Sequence, residues 1–197
     1  MNAPAPVGVA QFEDYSRRLQ AVLARSDWTP VSLLAADLLA CWREGRQVFL
    51  CGNGGSAGNA IHLANDLLYG IAKRLGGGLR VTALPANSSV LTCLANDVGY
   101  DSIFSHQLAV LARPGDVLIV LSGSGNSPNI VEVLDTARSM DVKTYAILGY
   151  GGGKALTQAD VPIHFPVDDM QIAEDLQLVV GHMVMQYLYS MRPSVGE

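Results

Sequence analysis

Short apolar runs alternate with helical patterns along most of the chain. Five runs consist mainly of apolar and β-branched residues: RQVFLCG, LRVTALP, DVLIVLSG, KTYAILGY and DVPIHFP. Their apolarity is continuous rather than alternating, which is typical of strands buried on both faces of a parallel sheet. The intervening residues 57–75, 102–112 and 127–139 have helical spacing of apolar positions. Alternating strands and helices predict an α/β fold.

Helical patterns also occupy both ends of the chain. FEDYSRRLQAVLARS and PVSLLAADLLACWREG place apolar residues at steps of three and four, and MQIAEDLQLVVGHMVMQYLYSM closes the chain as a long helix. We therefore expect a single domain over residues 1–197. Residues 1–45 form a helical N-terminal extension in this prediction, and residues 46–192 form the α/β core and the closing helix. The predicted core is a flavodoxin-like, three-layer α/β/α sandwich with a five-stranded parallel sheet.

Composition favours small-molecule chemistry. The net charge of −5, without a basic cluster, makes nucleic acid an unexpected partner. Since no uninterrupted apolar stretch reaches about 18 residues, we expect no membrane span, and the N-terminal residues do not have the pattern of a secretory signal. Cysteines are few and scattered, at Cys41, Cys51 and Cys93. An odd, scattered set argues against a disulfide framework and for a cytoplasmic setting.

Two glycine- and serine-rich segments follow the first and third apolar runs. The first is GNGGS at residues 52–56, and the second is SGSGNSPN at residues 122–129. Each leads into a helical pattern, and ligands of open α/β sheets bind beyond the carboxyl ends of the strands. Glycine lets the backbone approach an anion, while serine hydroxyls and the first helical N–H groups donate hydrogen bonds. The two turns therefore predict a phosphate-binding site.

Nucleotides fit these turns poorly. Gly52, Gly54 and Ala57 match the spacing of a dinucleotide fingerprint, but the next strand does not end in an acidic residue that could bind a ribose. The segment GYGGGKA at 149–155 resembles a P-loop, yet Ala155 stands where a serine or threonine would bind magnesium. A phosphate held by serine hydroxyls and backbone amides is better suited to a small sugar phosphate.

Four titratable side chains lie in two pairs, each with helical spacing. His62 and Asp66 are four residues apart on the helix after the first turn, so they share a face. Glu174 and His182 are eight residues apart on the closing helix, about two turns, and also share a face. If the two helices meet, two imidazoles and two carboxylates surround one point. That donor set suits zinc, with divalent iron, nickel or manganese as alternatives.

The chain resembles the sugar isomerase (SIS) domain family in three segments: GNGGSAGNAIHLANDL, LANDVGYDSIFSHQLAVLARPGDVLIVLS and SGSGNSPNI. The resemblance extends from about residue 10 to 190 and includes the leading and closing helices. It implies aldose–ketose isomerisation of a phosphosugar through an enediol, with no organic cofactor and, in some members, a bound zinc. It also implies a homotetramer with active sites between subunits. The expected reaction converts sedoheptulose 7-phosphate to D-glycero-D-manno-heptose 7-phosphate.

The resemblance also implies roles for individual residues. Asn53 and Asp97 match positions that contact the sugar. Asp66 corresponds to the catalytic glutamate of the family, His182 to its catalytic histidine, and Glu174 to a glutamine eight residues before that histidine. The predicted phosphate-binding residues are Ser56, Ser122, Ser124 and Ser127, with Gly54 and Gly123 in the same turns. The predicted catalytic residues are Asp66, Glu174 and His182, and the predicted metal ligands are His62, Asp66, Glu174 and His182.

Three positions depart from the family pattern. Asp66 replaces a glutamate, which shortens the side chain by about 1.3 Å. Glu174 adds a carboxylate where the family has a neutral amide, and Gln177 stands where many members have a histidine. These departures leave open which carboxylate moves the proton and which phosphosugar is the substrate. They also leave open a non-catalytic phosphosugar-binding function, as in a DnaA-binding relative, although such relatives tend to lose the histidine that is present here as His182.

Overall fold

Five parallel strands form the central sheet. The computed structural model describes residues 8–73 and 76–192. The strands are β1 (Gln47–Gly52), β2 (Arg80–Ala83), β3 (Val117–Ser122), β4 (Lys143–Leu148) and β5 (Val161–His164), in the spatial order β2-β1-β3-β4-β5. Pairs in register include Val48 with Val81 and Val48 with Val117. All five predicted strands are confirmed, and so is their parallel arrangement.

Eight α-helices lie within the described ranges. They are α1 (Val9–Arg25), α2 (Thr29–Glu44), α3 (Gly55–Leu68), α4 (Ser88–Asp97), α5 (Ser105–Leu111), α6 (Pro128–Ser139), α7 (Ala155–Gln158) and α8 (Met170–Ser190). The helix expected over residues 57–75 ends at Leu68, and its residues 74 and 75 lie outside the described part of the chain. The outer parts of the expected domain, residues 1–7 and 193–197, also lie outside it.

Helix α4 is a structural element that the sequence pattern did not reveal. It begins after Asn87, whose side chain accepts a hydrogen bond from the Val90 amide at 3.2 Å. None of its residues is fully buried, and serine, threonine and asparagine make up much of its sequence. The helical pattern in its sequence is therefore weak, because those residues favour caps and turns over helix interiors.

The sheet separates two apolar cores. Alternate strand residues face opposite sides, so Leu50 and Ile119 contact the core beneath α2, α3 and α8, whereas Phe49 and Leu118 contact the core beneath α5 and α6. This explains the continuous apolarity of the strands, since every side chain in β3 is buried. The predicted three-layer α/β/α sandwich is confirmed.

The N-terminal helices pack on the layer that contains α8. The Tyr15 hydroxyl donates a hydrogen bond to Asp175 at 2.5 Å, and burial, followed by this hydrogen bond, raises the pKa of Tyr15 to about 12. Arg18 forms an ion pair with Asp169, which also caps α8 by accepting from the Ile172 amide at 3.1 Å. These contacts fix the start of α8 against α1. Among the described helices, none has the length and apolarity to cross a membrane.

Candidate active site

The two serine-rich turns lie side by side at the carboxyl edge of the sheet. One joins β1 to α3 and the other joins β3 to α6, and β1 and β3 are neighbours in the sheet. Chain order reverses between these two strands in the order β2-β1-β3-β4-β5, so they flank the topological switch point. In sheets of this order, the crevice at the switch point is where ligands bind. The structure therefore brings the two sequence-predicted turns to one place.

Close backbone packing shapes both turns. A Cβ atom at Gly52 would lie 2.8 Å from the Leu121 carbonyl oxygen, so only glycine fits beneath Ser56. Gly125 has a φ of +66°, and a Cβ there would lie 2.0 Å from the Gly152 oxygen. The loop after β4 therefore supports the second turn, and the Lys154 amide also donates to the Asn126 side chain at 3.0 Å.

Two of the three serines of the second turn accept hydrogen bonds from backbone amides. The Ser122 hydroxyl oxygen accepts from the Gly125 amide at 3.0 Å, and that of Ser124 accepts from the Asn126 amide at 3.3 Å. Ser127 is the residue before α6 and makes no capping hydrogen bond with its side chain. The accepting oxygens leave each hydroxyl proton of Ser122 and Ser124 available for an anion.

Asn53 is held by a residue to which the sequence did not assign a role. Its side-chain amide exchanges two hydrogen bonds with Asn129, at 2.8 and 2.9 Å, and the Tyr100 hydroxyl donates to its oxygen at 3.1 Å. Asn129 is fully buried and ties the first turn to the start of α6. Its presence in the motif SGSGNSPN was the available signal, since an asparagine inside an otherwise apolar helix face needs a partner.

Asp97 lies at the end of α4 and is exposed. Hydrogen bonds from Asn96 at 2.7 Å and from the Cys93 thiol at 3.4 Å lower the pKa of its carboxyl group. Within the described residues, these two neighbours are the hydrogen-bond partners of its side chain, and contact with the first turn comes from Tyr100 instead. Among the described residues, Asp97 makes no hydrogen bond to Asn53, and it lies three residues before Tyr100, which does.

His62, Asp66 and His182 form a compact cluster between α3 and α8. The two Nε2 atoms lie 3.0 Å apart, and each lies 3.5 Å from Asp66 Oδ2. Two zinc–nitrogen bonds of about 2.1 Å at a tetrahedral angle would place the nitrogens about 3.4 Å apart. The three donor atoms thus have the spacing of three ligands of one small cation, and two imidazoles with one carboxylate suit zinc.

Glu174, the fourth predicted metal ligand, does not lie in this cluster, so the four-residue ligand set is not found in the structure. Eight residues separate it from His182, and that spacing keeps the two on one face but about 12 Å apart along the helix axis. Its carboxylate instead lies over the start of α3, where a Cβ at Gly55 would be 2.4 Å from both of its oxygens. Glu174 therefore belongs to the turn end of the site.

Glycine at position 181 lets α3 and α8 approach each other beside the cluster. A Cβ at Gly181 would lie 2.1 Å from Leu63 Cδ2, and Leu63 is buried with 3% of its surface exposed. Gly181 precedes His182, and Leu63 follows His62. The close approach of the two helices therefore sets the distance between the two imidazoles.

The fold and the two turns define a flavodoxin-like α/β protein with two serine-rich turns at its switch point and a histidine–aspartate cluster between α3 and α8. The chain belongs to the SIS domain family, which matches it over residues 11–149.

Curated relatives and a solved structure agree with this membership. A phosphoheptose isomerase of Chlorobaculum parvum is 38% identical over 179 residues, which cover 90% of this chain and 86% of the relative. A phosphoheptose isomerase of Akkermansia muciniphila is 39% identical over 160 residues, covering 81% and 82% of the two chains. The structure of a phosphoheptose isomerase from Neisseria gonorrhoeae aligns with a TM-score of 0.82 at 31% identity, covering 92% of this chain and 96% of that one.

Proposed function

We propose that this protein isomerises a seven-carbon sugar phosphate, converting sedoheptulose 7-phosphate to D-glycero-D-manno-heptose 7-phosphate through an enediol. The observation that carries this proposal is the pair of serine-rich turns on the two sides of the switch point. The relatives named phosphoheptose isomerase, 38% and 39% identical to most of this chain, support both the reaction and the substrate.

The turns form the phosphate end of the proposed site. The start of α3 and the start of α6 supply backbone N–H groups, and the partial positive charge of a helix N-terminus favours an anion. Asn53, fixed by Asn129 and Tyr100, faces the sugar in this proposal, with Asp97 at the edge. The proposed phosphate ligands are Ser56, Ser122, Ser124 and Ser127, together with the backbone of Gly54 and Gly123.

Asp66 and His182 are the proposed acid–base pair. Aldose–ketose isomerisation removes a proton from the carbon next to a carbonyl group and returns it to the neighbouring carbon, while a proton moves between the two oxygens. The 3.5 Å separation of Asp66 and His182 supports the transfer of both protons at one point. Glu174 is the second candidate for the carbon proton, because a carboxylate that also binds a cation is a weaker base.

A divalent cation fits the cluster, and we propose zinc as the first candidate, with iron, nickel or manganese as alternatives. His62, Asp66 and His182 would hold it. When bound, such an ion supplies a Lewis acid that polarises the carbonyl and hydroxyl oxygens of a substrate. Asp66 Oδ2 lies 3.5 Å from the Nε2 atom of each imidazole, so all three donor atoms would face the cation.

We further propose that the active sites are shared between copies in a homotetramer. His62 lies about 9 Å along α3 from Ser56 and about 120° around it, so the two side chains point in different directions. Tyr69 directly follows α3, seven residues after His62, and Tyr189 lies on α8 seven residues after His182; they are 57% and 38% exposed. Exposed aromatic residues beside the cluster support its burial against another copy.

The cysteines support a cytoplasmic setting for this activity. Cys41 and Cys51 are buried free thiols, and Cys93 is an exposed one. Free thiols persist in reducing compartments.

Purified protein of known metal content should isomerise sedoheptulose 7-phosphate in D2O, and NMR should show both the product and deuterium at the carbon where the enediol is reprotonated. The variant Ser124→Ala tests the phosphate end of the site, because it removes one proposed phosphate donor and should raise KM more than it lowers kcat. A panel of five-, six- and seven-carbon ketose phosphates identifies the substrate. Binding of these compounds without turnover would contradict the isomerase and favour a phosphosugar-binding regulator.

Glu174→Gln should lower KM for the sugar phosphate about 2- to 10-fold and reduce kcat less than 10-fold. The Glu174 carboxylate lies at the start of α3, so it repels a phosphate bound at the same helix end, and glutamine removes that repulsion. Steady-state kinetics on the protein with its metal content measured would test this. A loss of kcat above about 100-fold with normal metal content would instead identify Glu174 as the base.

A further inference from the structure

Gln177 is a buried polar residue that neither the turns nor the cluster explains. It lies on α8 with 1% of its surface exposed, facing the start of α3. Its amide nitrogen donates to the Ser56 hydroxyl oxygen at 3.0 Å, and its amide oxygen accepts from the Asn59 amide nitrogen at 2.9 Å. The Asn59 nitrogen also donates to the Glu174 backbone carbonyl at 3.0 Å. These groups form one chain of hydrogen bonds that ends at Ser56.

The backbone carbonyl of Glu174 fixes the direction of this chain. A carbonyl oxygen can only accept, so the group of Asn59 that faces it must be the amide nitrogen. The same nitrogen faces Gln177, so the Gln177 atom at that position must be its oxygen. The amide nitrogen of Gln177 is then left facing Ser56, where it can only donate.

The consequence is a fixed polarity for the Ser56 hydroxyl. Because the Ser56 oxygen accepts from Gln177, its own proton must point elsewhere, and it donates no hydrogen bond to any residue that the structure describes. Ser56 lies in the first turn of α3, above the Gly52 backbone and at the end of β1. We infer that the acceptor for this proton is a ligand at the switch point, because Ser56 belongs to the first of the two turns there.

We propose that Gln177 is a positioning residue that commits Ser56 to donate its proton to the phosphate group of the substrate. This inference rests on the proposed function for its ligand. A phosphate oxygen at neutral pH mainly accepts hydrogen bonds, so a serine that presents its proton binds phosphate, whereas one that presents a lone pair repels it. Gln177 selects the first state without touching the ligand.

Gln177→Glu tests the polarity directly. A glutamate at 177 still accepts from Asn59, but its second oxygen now takes the Ser56 proton and leaves a lone pair facing the ligand. We expect KM for the sugar phosphate and the dissociation constant of inorganic phosphate to rise about 10- to 100-fold, the range for one hydrogen bond to a charged group. We expect kcat to change much less, because position 177 touches neither reacting carbon.

Ser56→Ala separates polarity from simple charge repulsion. If Gln177→Glu acts through the Ser56 proton, it should add little to the phosphate dissociation constant in a Ser56→Ala background, and the two effects should be non-additive. A full additional weakening in that background would overturn the inference. Gln177→Met, which is neutral and of similar length, frees Ser56 to rotate and should weaken phosphate binding only a few-fold, so the comparison does not depend on a buried charge being tolerated in folding.

Binding of inorganic phosphate tests the role of Gln177 separately from the proposed isomerisation. Titration with phosphate, followed by 31P NMR, reports the turn without any turnover. A wild-type protein that binds phosphate through Ser56 and Gln177 but isomerises no heptulose phosphate would refute the proposed reaction and sustain the positioning role. If the wild-type protein isomerises the sugar, either of two results would refute the positioning role. In the first, Gln177→Glu binds phosphate as tightly as the wild type; in the second, the wild-type protein does not bind phosphate at all.

Discussion

Asp66→Asn should lower kcat by about 10²- to 10⁴-fold, the range for loss of a general base. Asparagine keeps the shape of the side chain and removes the carboxylate that lies 3.5 Å from both His62 and His182. The expected loss has two sources, because the same carboxylate is the proposed proton acceptor and the proposed third ligand of a cation. Turnover and metal content should therefore be measured on the same preparations, with excess zinc added in a second series.

Two further variants make this result interpretable. Asp66→Glu retains a carboxylate and restores the side chain that the family resemblance led us to expect, so it should keep at least 10-fold more activity than Asp66→Asn. Asp135→Asn removes an exposed carboxylate on α6 that forms an ion pair with Arg138 and accepts a hydrogen bond from Gln158 at 3.2 Å, and it should leave kcat unchanged. Normal turnover of Asp66→Asn at normal metal content would exclude Asp66 as the base and transfer that role to Glu174.

The strands and the turns could be predicted from the sequence because their signals are local. Continuous apolar runs such as that of β3 exist because both faces of the strand are covered. Glycine and serine directly after a strand also predict a phosphate-binding turn from a segment of only five or six residues. The sheet order adds what the chain alone does not contain, namely that β1 and β3 are neighbours and that their turns meet.

The parts that could not be predicted depend on contacts between distant segments. Spacing placed Glu174 and His182 on one face of α8, but only the packing of α8 along α3 shows that Glu174 faces the turn while His182 faces the cluster. Asn129 and Gln177 are single buried amides, and a single amide in a sequence gives no sign of its partner. Their roles follow from hydrogen bonds across 76 and 121 residues of sequence.

Gly181→Ala should lower kcat about 100-fold and reduce the free energy of unfolding by about 1 to 2 kcal/mol. The added methyl group would lie 2.1 Å from Leu63 Cδ2, so α3 and α8 must separate or Leu63 must move within a filled core. Overpacking of this kind costs about 1 to 3 kcal/mol, and the better helix propensity of alanine returns part of it. A separation near 1 Å would also break the spacing of His62 and His182, and misplacement on that scale can cost about 100-fold in rate.

Gly58→Ala is the matched control for Gly181→Ala. Position 58 lies on α3, and a Cβ there meets no atom within 4 Å, so the same substitution should stabilise the protein by about 0.5 to 1 kcal/mol. Leu63→Ala in the Gly181→Ala background makes room for the new methyl group. The double variant should therefore be more stable than the sum of the two single effects predicts, and it should regain activity over Gly181→Ala. Additive losses would show that the close approach at Gly181 does not set the geometry of the cluster.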